Sequence, residues 1–323
     1  MTMAIRIHET GGPDVLRWEE VEVGRPGPGE ARLRQTAVGL NFLDTYHRSG
    51  LYPLALPAVL GSEAAGVVEE VGPGVREVKP GDRVAYAGVA GAYAQARVIR
   101  ANRLVPLPRE VDERTAAAMM LKGMTAQYLL RRTCPVARGD TIMVHAAAGG
   151  VGLILCQWAK HLGATVIGTV STDEKAALAR AHGCDHPIVT GRESVVAKVK
   201  GLTGGHGVRV VYDSVGKDTW DASLDCLQPL GMMVSYGNSS GPVAPFAPAV
   251  LSAKGSLFLT RPTLMTYTAR REDLLASAAE LFEVVRSGVV RIEINQSYPL
   301  AEAARAHRDL EARRTTGSTV LLP

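Results

Sequence analysis

Residues 139–160 read GDTIMVHAAAGGVGLILCQWAK, in which an apolar run, a glycine-rich turn and a helical segment follow one another without a break. In the turn, residues 145–152, the three small positions of the G-x-G-x-x-G pattern are taken by Ala147, Gly149 and Gly152. A side chain at the second position would keep the backbone away from a pyrophosphate at the helix N-terminus, and Gly149 has none. The stretch therefore predicts a dinucleotide-binding turn, with a tight structural turn as the alternative.

The identity of the dinucleotide depends on the end of the next strand, about 20 residues after the turn, where an acid would bind the ribose 2′-hydroxyl of NAD. That strand ends at Ser171 and Thr172 without an acid, and Lys175 follows. Two hydroxyls and an ammonium favour a 2′-phosphate, so the sequence predicts NADPH. In the alternative, the strand runs longer and Asp173 or Glu174 binds an unmodified ribose.

From Asp140 onward, apolar strand segments alternate with helical ones. The predicted strands are 141–145, 164–170, 209–212, 232–236 and 256–260, and the predicted helices are 150–162, 174–182 and 219–227. Such alternation is typical of an α/β protein with a doubly wound parallel sheet. Residues 1–110 instead alternate short strand segments with Gly and Pro turns, and residues 115–132 predict a long helix or a helix pair. The last segment predicts helices 273–287 and 299–313 and a closing strand 318–322.

The composition indicates a globular protein that acts on small molecules. The chain has 323 residues and a net charge of only +4, which disfavours nucleic acid as a partner, although arginine pairs at 131–132, 270–271 and 313–314 leave RNA binding as an alternative. No run approaches the roughly 18 apolar residues of a membrane span, and no apolar leader is present, so we expect a cytoplasmic protein without membrane partners. Four cysteines without a C-x-x-C pair predict free buried thiols.

Four further stretches support a family resemblance. They are residues 41–53 (NFLDTYHRSGLYP), 61–66 (GSEAAG), 209–216 (RVVYDSVG) and 234–241 (VSYGNSSG). With residues 139–160, they closely resemble bacterial quinone oxidoreductases, the zeta-crystallin-like, zinc-free branch of the medium-chain dehydrogenase/reductase superfamily. The resemblance implies a Rossmann dinucleotide-binding domain, residues 124–260, inserted into a GroES-like β-rich catalytic domain, residues 1–123 and 261–323. It also implies an active site in a cleft and a homodimer.

The resemblance further implies that the chain uses no metal. Zinc-dependent relatives have G-H-E where residues 61–63 read GSE, and a cysteine ligand where this chain has Asn41. Without a Lewis acid, the accessible hydride acceptors are those that delocalise the incoming charge themselves. Small quinones are therefore the expected substrates, and alkenals, enones or acyl thioesters with a conjugated C=C bond are the alternative.

The resemblance assigns three catalytic candidates, Asn41, Tyr46 and Tyr52. Their amide and phenolic groups are neutral donors that can stabilise a quinol or enolate anion without a buried charge. In the alternative, they are a turn-forming amide and ordinary half-buried aromatics. Arg48 is expected to be a surface residue, and His145 has no carboxylate partner at a telling spacing.

The turn and the resemblance together assign the cofactor-binding residues. These are Asn41, Tyr128, Gly149, Gly150, Val151, Gly152, Ser171, Thr172, Lys175, Val215, Gly237, Asn238 and Arg313. A tyrosine that commonly helps to hold the 2′-phosphate in the family is Thr190 here, and Arg192 follows two residues later. Thr190 can donate one hydrogen bond and Arg192 can compensate, so we expect a weaker preference for NADPH over NADH than in relatives.

Overall fold

A computed structural model describes the whole chain, Met1–Pro323, as two compact units. The β-rich unit comprises Met1–Met124, Tyr267–Arg286 and Ile292–Pro323, and the parallel-sheet unit comprises Thr125–Thr266 and Ser287–Arg291. The strands are β1 (Thr2–Ile7), β2 (Arg17–Val21), β3 (Glu30–Leu40), β4 (Ala58–Val59), β5 (Glu63–Val71), β6 (Arg83–Ala87), β7 (Ala96–Arg100), β8 (Val105–Pro106), β9 (Thr141–Val144), β10 (Thr165–Val170), β11 (His186–Val189), β12 (Val208–Asp213), β13 (Leu227–Ser235), β14 (Phe258–Thr260), β15 (Ile294–Pro299) and β16 (Ser318–Leu322). The helices are α1 (Phe42–Ser49), α2 (Glu113–Tyr128), α3 (Gly150–His161), α4 (Asp173–Ala181), α5 (Val195–Leu202), α6 (Trp220–Cys226), α7 (Ala249–Ala253), α8 (Leu264–Tyr267), α9 (Arg271–Arg286) and α10 (Ala303–Glu311).

The parallel-sheet unit is built on six strands in the order β11-β10-β9-β12-β13-β14, and every neighbouring pair is parallel. This order places the first strand of the unit, β9, in the middle, and the strand order reverses beside it. The apolar run that forms β9 is buried at Ile142, Met143 and Val144, as expected for a strand covered on both faces. The doubly wound parallel sheet predicted from the sequence is confirmed.

The β-rich unit contains a three-stranded sheet, β2-β1-β4, and a seven-stranded sheet. In the larger sheet, strands run in the order β15-β16-β3-β5-β6-β8, with β7 also paired to β3. Its longest strand, β3, pairs with β5 over nearly its full length. The two strands contribute Leu33, Val38 and Val68 to the hydrophobic core of the unit. The helix α1 follows β3 directly, so the sheet fixes where that helix begins.

Several elements were not predicted from the sequence, among them α1, β11 and α5. The helix α1 is only eight residues long, too short for a periodic pattern to be distinctive. Strand β11 contains Pro187, which argues against a strand in the middle of a sheet, and β11 in fact lies at the sheet edge. The predicted long helix 115–132 is α2 followed by a π-helical turn, Leu129–Thr133.

None of the ten helices combines the length and the apolar character that crossing a bilayer requires.

Candidate active site

The glycine turn connects β9 to α3 in the parallel-sheet unit. Ala146 has a left-handed conformation, φ 52°, and a Cβ at Gly152 would lie 2.2 Å from the Ala146 carbonyl oxygen, so only glycine fits there. Gly149 precedes α3 without a side-chain cap, so the first N–H groups of the helix, from Gly150 and Val151 onward, lack an intrahelical partner. These groups lie at the positive end of the helix dipole and suit an anion. The turn therefore fits the pyrophosphate of a dinucleotide.

The segment between β10 and α4 contains the residues predicted to hold the adenosine phosphate. Ser171 and Thr172 are exposed there, and Thr172 Oγ1 accepts a hydrogen bond from the Lys175 N–H at 3.3 Å, which caps α4. Lys175 is thereby fixed in the first turn of the helix, beside the two hydroxyls. Asp173, one of the two carboxylates that could bind an NADH ribose, forms an exposed ion pair with Arg192, whereas the other, Glu174, is exposed in the first turn of α4.

Thr190, at the position of the family tyrosine, and Arg192 both already have partners within the parallel-sheet unit. Thr190 donates its hydroxyl to the Val170 carbonyl oxygen at 3.1 Å. Arg192, two residues later, pairs with Asp173. Both side chains thus need to exchange a partner before they can contact a phosphate.

A buried carboxylate fixes the turn after β12. Asp213 Oδ1 accepts from the N–H groups of Val215 at 2.7 Å and Gly216 at 3.0 Å. Its Oδ2 accepts from the hydroxyls of Thr219 at 2.7 Å and Ser223 at 2.9 Å. Four donors therefore hold in place the turn that contains Val215, one of the predicted cofactor contacts.

His145 joins this cluster, which the sequence analysis missed. Its Nε2 lies 2.9 Å from Ser223 Oγ, which in turn donates to Asp213, and its Nδ1 lies 2.9 Å from Thr169 Oγ1. Burial lowers the pKa of His145, and Asp213 opposes that shift only in part, so the imidazole is neutral. The ring, just after β9, bonds Thr169 on β10 and Ser223 on α6, and Ser223 extends the link to Asp213 at the end of β12. Only the fold brings these elements together.

The end of β13 is held in the same way by Arg261, another residue that no sequence pattern distinguished. Its Nη1 donates to Ser235 Oγ at 3.0 Å and to the Gly237 carbonyl oxygen at 2.9 Å. A Cβ at Gly237 would lie 2.4 Å from the carbonyl oxygen of Ser214, so the two strand-end loops approach closely there. Asn238 follows at once, partly exposed.

In the β-rich unit, Asn41 directly precedes α1 and its amide is held in one orientation. Its Nδ2 donates to Glu63 Oε1 at 2.9 Å and to the Gly39 carbonyl oxygen at 3.4 Å. Glu63 also accepts from Lys122 Nζ at 2.6 Å and, through Oε2, from the Leu121 N–H at 2.6 Å. The two positions that correspond to zinc ligands in the zinc-dependent relatives thus contribute an amide and, at Ser62, a hydroxyl, beside a lysine ammonium.

The structure brings Tyr46 and Tyr52 together. Their rings meet edge to face with centroids 5.3 Å apart, and the Tyr52 N–H donates to the Tyr46 carbonyl oxygen at 3.0 Å. His47 also packs against the Tyr52 ring, with centroids 6.0 Å apart, and burial lowers the pKa of its imidazole. Tyr46 is buried and Tyr52 is half-buried, so the second ring is the more accessible.

The expectation that Arg48 is a surface residue is wrong. Only 2% of Arg48 is exposed, and its guanidinium binds both carboxylate oxygens of Glu311 and the Nδ1 of His307. The partners lie on α10, far along the chain, and the sequence pattern does not reveal them.

The predicted site residues divide between the two units. Asn41, Tyr46 and Tyr52 lie within a few residues of α1 in the β-rich unit, and Arg313 lies exposed after α10 with a left-handed φ of 59°. The other predicted cofactor residues belong to the parallel-sheet unit, where Tyr128 is buried at the end of α2. No three His, Cys, Asp or Glu side chains in the structure come together as metal ligands.

The fold and the site define a class of protein. Residues 27–109 match the alcohol dehydrogenase GroES-like domain, and residues 150–282 match the zinc-binding dehydrogenase domain. A GroES-like domain combined with a Rossmann-type parallel sheet is the architecture of the medium-chain dehydrogenases and reductases, and the fold class predicted from the sequence is confirmed.

Full-length relatives define the family more closely. The chain is 56% identical to a quinone oxidoreductase of Pseudomonas aeruginosa, with all of both chains covered, and 51% identical to a 2-haloacrylate reductase of a Burkholderia species, with 100% of this chain and 99% of that protein covered. The crystal structure of Escherichia coli quinone oxidoreductase complexed with NADPH superposes with a TM-score of 0.98 at 49% identity, covering 99% of this chain and 100% of that chain. The chain belongs to the quinone oxidoreductase family.

Proposed function

We propose that this protein reduces small quinones with NADPH and without a metal ion. The observation on which the proposal depends most is the uncapped start of α3 at Gly149, in the same unit as a strand end that presents Ser171, Thr172 and Lys175 and where Asp173 is already paired with Arg192. The first feature binds a pyrophosphate and the second favours a 2′-phosphate. The E. coli relative complexed with NADPH supports the same choice of cofactor.

The cofactor, when bound, supplies the hydride, and the residues of this chain bind and orient it. The N–H groups at the start of α3 hold the pyrophosphate, and Lys175 with the two hydroxyls holds the adenosine phosphate. The turn fixed by Asp213 presents Val215, and the loop held by Arg261 presents Gly237 and Asn238. Tyr128 and Arg313 complete the proposed binding set.

The donor set around Asn41 supports chemistry without a Lewis acid. Asn41 and Ser62 replace the thiolate and imidazole that bind zinc best, and Lys122 places a positive charge 2.6 Å from Glu63. A second cation beside that ammonium is disfavoured by charge repulsion. The acceptor therefore has to delocalise the hydride charge by itself, as a quinone does.

Asn41, Tyr46 and Tyr52 are the proposed catalytic residues. Each carries neutral N–H or O–H groups, and Tyr52 is the more exposed of the two phenols. Their role is to orient the quinone and to stabilise the developing quinol anion by hydrogen bonding, for which Asn41 exchanges its weaker bond, the one to the Gly39 carbonyl oxygen at 3.4 Å. We assign them to a catalytic domain of residues 1–123 and 261–323, and the dinucleotide to residues 124–260.

The test is a spectrophotometric panel on the purified protein. NADPH and NADH oxidation are followed with benzoquinone, naphthoquinone, an enal and a haloacrylate as acceptors. Quinone-dependent oxidation that is faster with NADPH than with NADH is expected. Absence of turnover with every quinone would overturn the proposal.

Reduction of a conjugated C=C bond is the second candidate, because the 51% identical relative is a 2-haloacrylate reductase. The same hydride geometry serves both acceptors. Product analysis separates them: a saturated C=C bond in the product supports this second function, and a quinol supports the first.

We also propose a homodimer in the cytoplasm. One edge of the six-stranded sheet is β14, where Phe258 is 57% exposed. On the neighbouring strand β13, Leu230 is 66% exposed. An apolar sheet edge of this kind is typically covered by another strand, and a second copy offers the matching edge. The four cysteines are free and buried, which fits a reducing compartment. Light scattering of the purified protein tests the dimer.

A further inference from the structure

The helix α1 presents two opposite faces with different partners. Asp44 and Arg48 are four residues apart and share one face, which is buried. Tyr46 lies between them in sequence, about 200° around the helix from each at 3.6 residues per turn, and therefore on the opposite face. Whatever holds the face of Asp44 and Arg48 consequently sets the direction in which Tyr46 points.

Arg48 holds one end of this face. Its Nη1 and Nη2 bind the two carboxylate oxygens of Glu311 at 3.0 and 2.6 Å, and Nη1 also lies 2.9 Å from His307 Nδ1. Its Nε donates to the Gly11 carbonyl oxygen at 3.0 Å, and the Gly11 N–H donates back to the Arg48 carbonyl oxygen at 3.0 Å. The guanidinium thus locks the last turn of α1 against α10 and the loop before Pro13.

A hydrogen-bond chain returns from there to the first turn of α1, and its direction is fixed by chemistry. Arg48 is only a donor, so His307 Nδ1 accepts and Nε2 carries the hydrogen. His307 Nε2 donates to Tyr93 Oη at 3.0 Å, which leaves the Tyr93 hydroxyl to donate to Asp44 Oδ2 at 3.0 Å. This hydrogen-bond circuit, which runs from Arg48 through His307 and Tyr93 to Asp44, therefore begins and ends on the same helix.

Asp44 ends the circuit and also fixes the start of α1. Its Oδ2 accepts from the Asn41 N–H at 2.9 Å, and its Oδ1 accepts from Ser62 Oγ at 2.7 Å. We propose that Arg48, His307 and Tyr93 are positioning residues that orient α1, and through it Asn41 and Tyr46, for the reduction of the acceptor. The inference rests on the proposed function, because it assigns a role toward that reaction.

The ionised Asp44 carboxylate is costly to bury. Asp44 is fully buried, and burial raises its pKa from 3.8 to about 6, although the bonds from Ser62, Asn41 and Tyr93 oppose the shift. Glu63 is the other charged group that faces Asp44, and its negative charge raises the pKa further. A carboxylate that is unfavourable to bury is nevertheless held by three hydrogen bonds at the first turn of the helix that carries the candidate residues, which supports a role in orienting that helix.

The test compares Tyr93→Phe with a matched control, Tyr86→Phe. Both tyrosines are fully buried in the β-rich unit, and Tyr86 likewise bonds two partners, Gln35 and Arg97, but has no link to α1. The first readout is hydrogen exchange of the amides of residues 42–49. The second is the pH profile of kcat/KM for a quinone, together with the Kd of NADPH.

Tyr93→Phe is expected to speed exchange in residues 42–49 about tenfold and to lower kcat/KM about tenfold with the Kd of NADPH unchanged. Loss of a bond to the ionised carboxylate raises the pKa of Asp44, so the acid limb of the profile moves to higher pH. Tyr86→Phe leaves all three unchanged. Equal behaviour of the two variants overturns the inference.

A wrong assignment of the function and a wrong assignment of the positioning role would give different results in this experiment. If the unaltered protein shows no quinone turnover but exchange in residues 42–49 responds only to Tyr93→Phe, then the circuit orients α1 and the reaction is another one. If exchange does not respond while turnover of the unaltered protein is normal, the function stands and the positioning role is wrong.

Discussion

Lys122 Nζ lies 2.6 Å from Glu63 Oε1, and both side chains are buried. The same oxygen accepts from Asn41 Nδ2 at 2.9 Å, so one carboxylate binds both a cation and a proposed catalytic amide. The other oxygen accepts from the Leu121 N–H. These three hydrogen bonds make the ion pair a support for Asn41 as well as for the middle of α2.

Removal of Lys122 alone is expected to be strongly destabilising. Lys122→Met leaves the Glu63 carboxylate buried without its counter-ion, which costs about 3–5 kcal/mol in the free energy of unfolding. Urea unfolding followed by circular dichroism measures it. The double variant Lys122→Met with Glu63→Gln removes both charges and is expected to recover most of the loss. Additive effects of the two substitutions would contradict the coupling.

Chelation is expected to leave the activity unchanged, since the ammonium of Lys122 already supplies the positive charge beside Glu63. The measurement is NADPH oxidation with benzoquinone before and after dialysis against a chelator, with zinc added back afterwards. A zinc-dependent alcohol dehydrogenase treated in parallel shows that the chelation worked. Loss of quinone turnover that added zinc restores would contradict the proposal.

Substitutions of the two glycines of the turn, Gly149 and Gly152, are expected to have different effects. A Cβ at Gly149 meets only the Ala146 carbonyl oxygen, at 3.2 Å, whereas a Cβ at Gly152 would lie 2.2 Å from it. Gly149→Val should therefore lower the melting temperature less than Gly152→Ala does but weaken NADPH binding about tenfold or more, because the side chain blocks the pyrophosphate. Gly152→Ala should instead lower stability by about 1–3 kcal/mol. Fluorescence titration and thermal melts separate the two, and the reverse pattern would refute the assignment.

The parts of this structure that sequence analysis can predict are those encoded locally. The turn at Gly149 is recognisable because the strand, the turn and the helix are consecutive, and the pattern needs no distant partner. Arg48 and His307 are 259 residues apart, and a single sequence carries no trace of their contact, so the buried guanidinium was predicted to lie at the surface. The link between His145 and Asp213 was not predicted for the same reason, because Ser223 connects the two side chains only in the folded protein.

The preference for NADPH is expected to depend on Lys175. Lys175→Ala removes the cation beside Ser171 and Thr172, so the Kd of NADPH should rise about tenfold while that of NADH stays the same. Lys198→Ala is the control, since Lys198 lies exposed in the same unit and pairs with Glu193. Equal effects on both coenzymes would show that the phosphate binds elsewhere.

Asp173→Asn tests the neighbouring ion pair. The substitution releases Arg192 from its carboxylate partner and removes a negative charge beside the proposed phosphate site. The affinity for NADPH should therefore rise a few fold, with NADH unchanged. A loss of NADH affinity instead would support the alternative in which Asp173 binds the ribose.

Asp44 and His307 impose opposite dependences of stability on pH. Burial lowers the pKa of His307 from 6.5 to about 3, so the unfolded chain binds the extra proton between these values and stability falls on acidification. Burial raises the pKa of Asp44 from 3.8 to about 6, so the folded chain binds the extra proton there and stability rises on acidification. Between about pH 4 and pH 6 the two contributions nearly cancel.

Each single variant should expose the contribution of the other residue. Asp44→Asn keeps an oxygen for the Asn41 N–H and the Tyr93 hydroxyl, and its stability should fall by about 1.4 kcal/mol per pH unit relative to the unaltered protein on going from pH 6 to pH 4. His307→Gln, which can still accept from Arg48 and donate to Tyr93, should gain stability over the same range. Urea unfolding at several pH values measures both slopes. Because every other titrating group is common to the two variants, parallel pH profiles would mean that neither Asp44 nor His307 has the shifted pKa that its burial predicts.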